Sequence, residues 1–427
     1  MILHCDEAKV FGNTDSVTLT TTIFGASDGL VASIAMILAT MTHRRRVGLA
    51  TGIACCRVML GVHWLTDVLG GLALGWAWFA LCPHCLRRLP IAIRRSGEDR
   101  RRDRKLPVMQ RVRSLFEEFV RTDAIDLPTP GSGNTWRRFE ALARWASIDL
   151  SVGRLSEGHV DAFAILAEAD MKPFDATASY GVWAARSRQG GTSAERVPGG
   201  WQLTGRKEFC SGSGIIDRAL VAADTDDGSR LFDIAIAENV VMVDHDSWPA
   251  VGMADSVSET LDFGGPIIRE AQVVGPADFY IQRPGFWFGS SGVAACWYGG
   301  AVGLVNDLVK SLALEPNEHV LADLGVATSA LEAMRAVLKE TADIIDSDPT
   351  DAEDQARYRA QVTRQVAHDA SMEVLARMGT AGGARPFCHD LDQARRSADL
   401  FVYLTQHHGG VDAAALGRLA RDRFPWS

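Results

Sequence analysis

Between Val17 and Leu86 the chain is apolar over a length that few soluble folds bury, interrupted only by Asp28, the run His43-Arg44-Arg45-Arg46 and the cluster Arg57, His63 and Asp67. Three membrane helices fit this stretch. Residues 66–86 are long enough to span a bilayer, whereas 47–62 is short for the roughly 20 residues a spanning helix needs. A secretory signal places its basic residues first and carries one apolar run, and here the basic groups come afterwards. The loop at 43–46 and the tail holding Arg87, Arg88, Arg94, Arg95, Arg100, Arg101, Arg102, Arg104 and Lys105 are separated by two helices. They therefore share one side, which the distribution of positive loops makes the cytoplasm. The expectation is a cell-membrane protein anchored through residues 17–86, with Asp28, His63 and Asp67 near the outer face and everything after residue 105 cytoplasmic. The alternative is an apolar helical hairpin buried inside a soluble protein.

The 427 residues, 47% apolar and 23% charged, exceed one small domain and exclude disorder over most of the length. The net charge of −9 leaves the basic residues concentrated in one tail, so nucleic acid is not an expected partner. Eight scattered cysteines, Cys55 and Cys56 adjacent, lack the spacing of a disulfide-rich secreted domain. Cys82-Pro83-His84-Cys85 is a lone C-x-x-C without a second ligand pair, so no metal site is assigned.

After the membrane segment, 1–92, a charged linker covers 93–135, with a helix around 108–121 and turn residues from Pro128 to Gly133. Helical stretches at 136–177 give way to a β-rich stretch at 178–277, where apolar and polar residues alternate between turns such as Pro198-Gly199-Gly200. Helices resume over 278–427. Helices, then strands, then helices indicate a multidomain chain whose larger part is α+β rather than alternating βα units.

Within the membrane segment, Cys56-Arg57, five residues, His63, three residues and Asp67 resemble the Ser-Arg-x5-His-x3-Asp signature of the type 2 phosphatidic acid phosphatase superfamily, over residues 20–88. The resemblance implies that Arg57 clamps phosphate oxygens, His63 attacks phosphorus and Asp67 orients the imidazole. Asp28, in Phe24-Gly25-Ala26-Ser27-Asp28-Gly29, stands where that family has its proton-donating histidine, and the earlier Lys-x6-Arg-Pro motif has no counterpart. An inactive, phosphatase-like anchor is therefore expected, with lipid phosphate hydrolysis through His63 as the alternative.

Several blocks in the rest of the chain resemble the acyl-CoA dehydrogenase superfamily. Gly200-Trp201-Gln202-Leu203-Thr204-Gly205-Arg206-Lys207-Glu208-Phe209-Cys210-Ser211-Gly212 is similar to its Gly-Tyr-x-Leu-x-Gly-x-Lys-x-Trp-Ile-Thr-Asn strand pair. Gly252-Met253-Ala254-Asp255-Ser256-Val257-Ser258 resembles the block that closes its β domain, and Gly299-Gly300-Ala301-Val302-Gly303-Leu304 the small-residue stretch of its first C-terminal helix. Met378-Gly379-Thr380-Ala381-Gly382-Gly383 resembles its glycine turn, and Arg395–Gly417 its last block. The resemblance implies a helical part, a central β-barrel-like domain and a C-terminal four-helix bundle binding FAD. Phe209 and Ser211 would lie against the flavin, and Trp183 stands in place of a flavin-side threonine. Gly382 and Gly383 would approach the pyrophosphate of the neighbouring subunit, which implies a homodimer or homotetramer.

The family's catalytic glutamate has no counterpart at Leu404-Thr405-Gln406, nor near Val293 and Ala294. His407 and His408 are the titratable groups that remain, and in related flavin monooxygenases of this fold the tail carries a histidine and the reduced flavin meets oxygen. Helix-end capping is the bland alternative for both, and Arg154, Glu157 and His159 read equally as a solvated helix face. The expected function is a flavin-dependent oxidoreductase acting on an acyl-CoA-like or other small organic substrate. A catalytically inactive flavoprotein-fold binding module is the alternative.

Overall fold

The structure, a computed structural model, describes residues 110–185, 191–312, 315–421 and 423. The chain divides near residue 102, and all of these belong to its C-terminal unit. Among the described residues no helix is long and apolar enough to cross a membrane. The segment expected in the membrane, 17–86 with Arg57, His63 and Asp67, lies outside them.

The first described element, α1 (110–122), carries Val112, Phe116 and Phe119 at i, i+4 and i+7. That spacing makes one apolar stripe, and the three side chains are 0–1% exposed in the main core. This part of the expected linker is therefore a core helix. Two antiparallel helices follow, α2 (Thr135–Ile148) and α3 (Leu150–Glu168). Asp149 ends one and caps the other, its carboxylate accepting from the N–H groups of Ser151 at 2.9 Å and Val152 at 3.2 Å. The start of α2 is satisfied from far along the chain, since Asp346 accepts from Thr135 N at 2.9 Å and from Thr135 Oγ1 at 2.6 Å.

Eight strands form one sheet: β1 (Tyr180–Trp183), β2 (Thr192–Val197), β3 (Gly200–Cys210), β4 (Arg218–Thr225), β5 (Gly228–Ala235), β6 (Val240–Asp244), β7 (Glu259–Phe263) and β8 (Val273–Val274). The order is β6-β7-β3-β2-β4-β5-β8, with β1 parallel to β4. Its edges, β6 and β8, do not pair, so the expected barrel-like domain is an open sheet among the described residues. Strand β4 is buried continuously from Arg218 to Ala223, as a strand covered on both faces must be. Its one charged member in that run, Arg218, is paired with Asp233 at 2.8 Å, and Asp233 also accepts from the Tyr180 hydroxyl at 3.1 Å.

Three long helices, α4 (Gly285–Ser311), α5 (Glu318–Ser347) and α6 (Ala356–Gly382), then α7 (Leu391–Leu404) and α8 (Gly410–Arg421), complete the fold. The glycines of α4 are where the chain is tightest. A Cβ on Gly299 would stand 2.1 Å from the Ala143 carbonyl oxygen, and one on Gly300 2.7 Å from the Leu150 side chain. Helices α2 and α4 therefore meet backbone to backbone, and the small-residue stretch seen in the sequence has a packing cause.

Gly299→Ala should lower stability by about 1–3 kcal/mol through overpacking. Gly325→Ala, on α5 with nothing within 4 Å of the added carbon, should raise it by up to about 1 kcal/mol through helix propensity. Thermal unfolding of the two variants checks the opposite signs; a stabilised Gly299→Ala would show that the contact with Ala143 is not made.

Candidate functional site

Three non-glycine residues with left-handed backbone, Phe209 at φ 61°, Met253 at φ 56° and Val257 at φ 45°, meet where β3 turns beside the 252–258 loop. Such conformations are costly for bulky residues and worst for a β-branched one. They persist because hydrogen bonds fix the two segments together. Gly212 N donates to Ser256 O at 2.7 Å and Ser213 N to Val257 O at 3.3 Å. The hydroxyls of Ser211 and Ser258 are 2.8 Å apart, those of Ser258 and Ser256 2.9 Å, and Ser256 Oγ donates to the Met253 carbonyl at 2.8 Å. Trp248 Nε1 donates to that same carbonyl at 3.0 Å. Two residues before Ser211, the Phe209 ring is 56% exposed, touching Trp248 edge-on at 6.4 Å.

Helix α7 seats the loop from the other side. Asp399 accepts from Met253 N at 2.5 Å, and Arg395 is ion-paired with Asp255. Gly252 is required there, because a Cβ would stand 2.0 Å from the Ala398 carbonyl oxygen. Burial raises the Asp399 carboxyl to about 7, against the pull of the Met253 N–H. The adjoining cleft of 360 Å³ is lined by Asp149, Asp307, Lys310, Arg395, Arg396 and Asp399 among others, and Arg395 and Arg396 are both held by carboxylates. Arg396 holds Asp307 at 3.0 Å and the Ser147 carbonyl at 2.6 Å.

Asp399, Tyr403 and His407 recur every four residues and so share one side of the chain at α7. The two adjacent histidines have different fates. His407 is buried and stacks on His368 with centroids 4.5 Å apart, and burial lowers its pKa, with His368 as the next cause. His408 is exposed, its Nδ1 3.7 Å from Asp412. His407 Nδ1 accepts from Gly409 N at 3.2 Å, so the neutral ring carries its proton on Nε2. In this geometry Nε2 is the donor and Nδ1 is already engaged by Gly409.

Trp183 is 1% exposed and donates Nε1 to the Ser211 carbonyl at 3.0 Å. It stands beneath the row of serines as a support, while Phe209 and Ser211 present the outer face. Gly382 and Gly383 end α6, and Gly383 has φ 58° with no atom of the chain within 4 Å of a would-be Cβ.

The residues 153–160, read equally as a solvated face, are instead interior. Glu157 is 6% and His159 4% exposed. Glu157 is ion-paired with Arg154, and Arg138 holds Asp161 at 2.7 Å. Burial pushes the Glu157 carboxyl up to about 8; Arg154 opposes this and Asp161 adds to it. His159 is pushed down to about 4 by burial and then by Arg138, and its Nδ1 accepts from Tyr180 N at 3.1 Å. Among the described residues no cluster could hold a metal ion. In the sequence Arg154, Glu157, Asp161 and Glu168 recur at i, i+3, i+7 and i+14, which marks one polar face of α3 without saying whether that face is wet or buried.

The described unit shares its fold with several solved flavoenzymes. Dibenzothiophene monooxygenase TdsC from Paenibacillus sp. A11-2 superposes with a TM-score of 0.61 at 18% identity, over 75% of this chain and 97% of that one. KijD3, solved with FMN and dTDP-3-amino-2,3,6-trideoxy-4-keto-3-methyl-D-glucose, gives 0.62 at 17%, over 76% and 93%. Methanesulfinate monooxygenase MsuC from Pseudomonas fluorescens gives 0.58 at 17%, over 74% and 97%. The acyl-CoA dehydrogenase-like fold expected from the sequence blocks is thus the one found, and at these identities the likeness concerns fold alone. Residues 22–90 match the family model of the PAP2 superfamily. No curated protein matches the sequence at a significant level.

The raised Glu157 pKa has a consequence for stability. The fold binds this proton more tightly than the unfolded chain does, so its contribution is full below about 4.5 and is lost as pH rises through about 8. In Glu157→Gln the unfolding midpoint should decline less across that window than in the parent, whatever its absolute value. Parallel slopes in the two proteins would show that Glu157 does not hold the proton.

Proposed function

We propose that this chain is a flavin-dependent oxidoreductase that uses dioxygen to oxidise a small organic substrate. The observation that carries the reading is Phe209, an aromatic ring held largely in solvent on left-handed backbone, two residues before Ser211, whose hydroxyl starts a row of serine hydroxyls. Strain of this kind persists where function requires it, and an exposed ring beside hydroxyl donors suits a planar heteroaromatic group. Phe209 would stack on the flavin, and Ser211 and Ser258 would hydrogen-bond its polar edge. Gly382 and Gly383 would offer backbone N–H groups to phosphate from a second subunit of a dimer. Once reduced, the flavin supplies the reactivity with oxygen.

FMN, the group with which TdsC and KijD3 were solved, replaces FAD as the first cofactor to test. Oxygen use is preferred to thioester dehydrogenation because the turn after α7 offers a His407 protonated at Nε2, while the buried carboxylate of α7, Asp399, is committed to the Met253 N–H. His407 would donate a hydrogen bond at the reacting centre, and the acyl-CoA-like substrate gives way to a small organic molecule. The match at residues 22–90 supports the membrane as the place of action, with this unit on the cytoplasmic side.

Full-length protein should bind FMN or FAD and turn yellow. Phe209→Ala should weaken binding by about 10-fold, the upper range for one aromatic contact, without lowering stability. His407→Ala should slow oxygen-dependent turnover by about 10²–10⁴-fold, as loss of a proton-transfer group does, and His408→Ala should leave it within twofold. Folded protein that takes up neither flavin refutes the proposal.

The same match favours a second reading, phosphate ester hydrolysis by Arg57, His63 and Asp67. With Asp28 in the place of a proton donor, little phosphate should be released from phosphatidic acid. Release that His63→Ala abolishes would establish it instead.

A further inference from the structure

Deep between α3, α4, α6 and α7 lies a second polar group of residues that the flavin face does not use. Trp297 of α4 is 0% and Tyr403 of α7 2% exposed, with ring centroids 6.3 Å apart. The indole N–H has no hydrogen-bond partner, and the phenol hydroxyl has only the Cys296 thiol, a weak acceptor, beside it. Arg364 of α6 lies over the Trp297 ring at 4.6 Å. Its hydrogen bond is to the Gln406 carbonyl at 2.8 Å, where the chain reaches solvent, and no carboxylate among the described residues pairs with it. Burial lowers its pKa, with Asp412 as the first opposing charge and no carboxylate in direct contact.

Each feature is costly alone. A buried donor left unmade forfeits its hydration, and a half-buried cation with no carboxylate in direct contact keeps its demand for one. Glu157 does not meet that demand directly, since Arg154 holds it. Two buried donors without a strong acceptor beside such a guanidinium, framed by two aromatic rings, describe the complement of an oxyanion attached to an apolar body. Arginine also matches a planar carboxylate with two parallel N–H groups.

We infer that Arg364, Trp297 and Tyr403 form the anion-binding end of a ligand site, and that the ligand is a small organic acid. So far as that acid is the molecule oxidised, the inference rests on the oxidoreductase reading, and it then names the substrate class. Gln406, whose carbonyl Arg364 holds, is exposed, so the acid would enter from that edge and bind Arg364 first.

Binding without turnover separates the two ideas. Full-length protein is titrated by calorimetry and by thermal shift with benzoate and phenylacetate, and in parallel with benzamide and phenylacetamide. At least one carboxylate should bind, and raise the melting temperature more than its amide does. Tyr403→Phe keeps the ring and removes the hydroxyl, whereas Trp297→Phe removes the indole N–H with part of the ring. Both should bind that carboxylate about 10–100-fold more weakly, as loss of a hydrogen bond to a charged group implies; without ligand Tyr403→Phe should melt at or above the parent's temperature, and Trp297→Phe below it because of the cavity it leaves. Arg364→Met should lose the preference for carboxylate over amide. The inference is overturned if no carboxylate binds, if acids and amides bind alike, or if the three variants bind as the parent does. Carboxylate binding by a protein that takes up no flavin would uphold the site and remove the oxidoreductase reading; flavin uptake without carboxylate binding would do the reverse.

Discussion

The hydrogen bond from Met253 N–H to Asp399 joins the two halves of the unit at their functional seam. Without it the loop 252–258 would have no reason to hold two left-handed residues, each costing on the order of 1–3 kcal/mol. With Asp399 raised to about 7, the bond contributes about 0.5–1.5 kcal/mol when the carboxyl is neutral and about 1.5–3 kcal/mol when it is charged, so it offsets at most roughly one of them. The serine row and the Arg395–Asp255 pair must offset the other. The Phe209 face is therefore conditional on α7 being docked: a change in the helix is felt on the sheet through Met253. This also explains why Gly252 admits no side chain, since the loop backbone has to reach the helix backbone for the bond to form.

Much of this was legible in the sequence where the signal was a pattern of residue types. The order of helices and strands followed from periodicity and turn residues, and the blocks around Phe209, Met253 and Gly299 marked segments that fold into the strained turn, the loop and the tight helix contact. What the sequence withheld was solvation. Val112, Phe116 and Phe119 carry a helical stripe, yet the basic residues before them made the region resemble a linker. Arg154, Glu157 and His159 have the composition of a wet surface, and only the packing of α2, α4 and β1 around α3 makes them interior. The open sheet in place of a barrel was likewise invisible, because closure depends on partners between edges and not on the strands themselves.

His407 and His408 show the same limit at the scale of two residues. Composition makes them equivalent. The end of α7 turns one inward against His368 and leaves the other beside Asp412, and the Gly409 N–H then decides which nitrogen of His407 bears the proton. Gly409 itself has φ 53°, a conformation glycine adopts without strain, so a backbone feature sets the chemistry of a neighbouring side chain. The tail block was visible as a block, but its polarity as donor or acceptor is a property of the fold.

The distribution of packing completes the argument. Between α2 and α4 the backbones touch through Gly299, and there the core is apolar and closed. On the other side of α4, from Trp297 toward α3, α6 and α7, the same bundle admits a buried ion pair, a stacked histidine pair and an indole donor without an acceptor. Polar groups in such numbers reduce stability relative to an apolar interior. A bundle tolerates them only where another part of it is packed closely enough to fix the helices regardless. The glycine contact thus does for the interior what the Asp399 bond does for the loop: a rigid junction at one place lets strained backbone or unsatisfied polarity persist at another, and that is where a cofactor and a ligand have something to gain by binding.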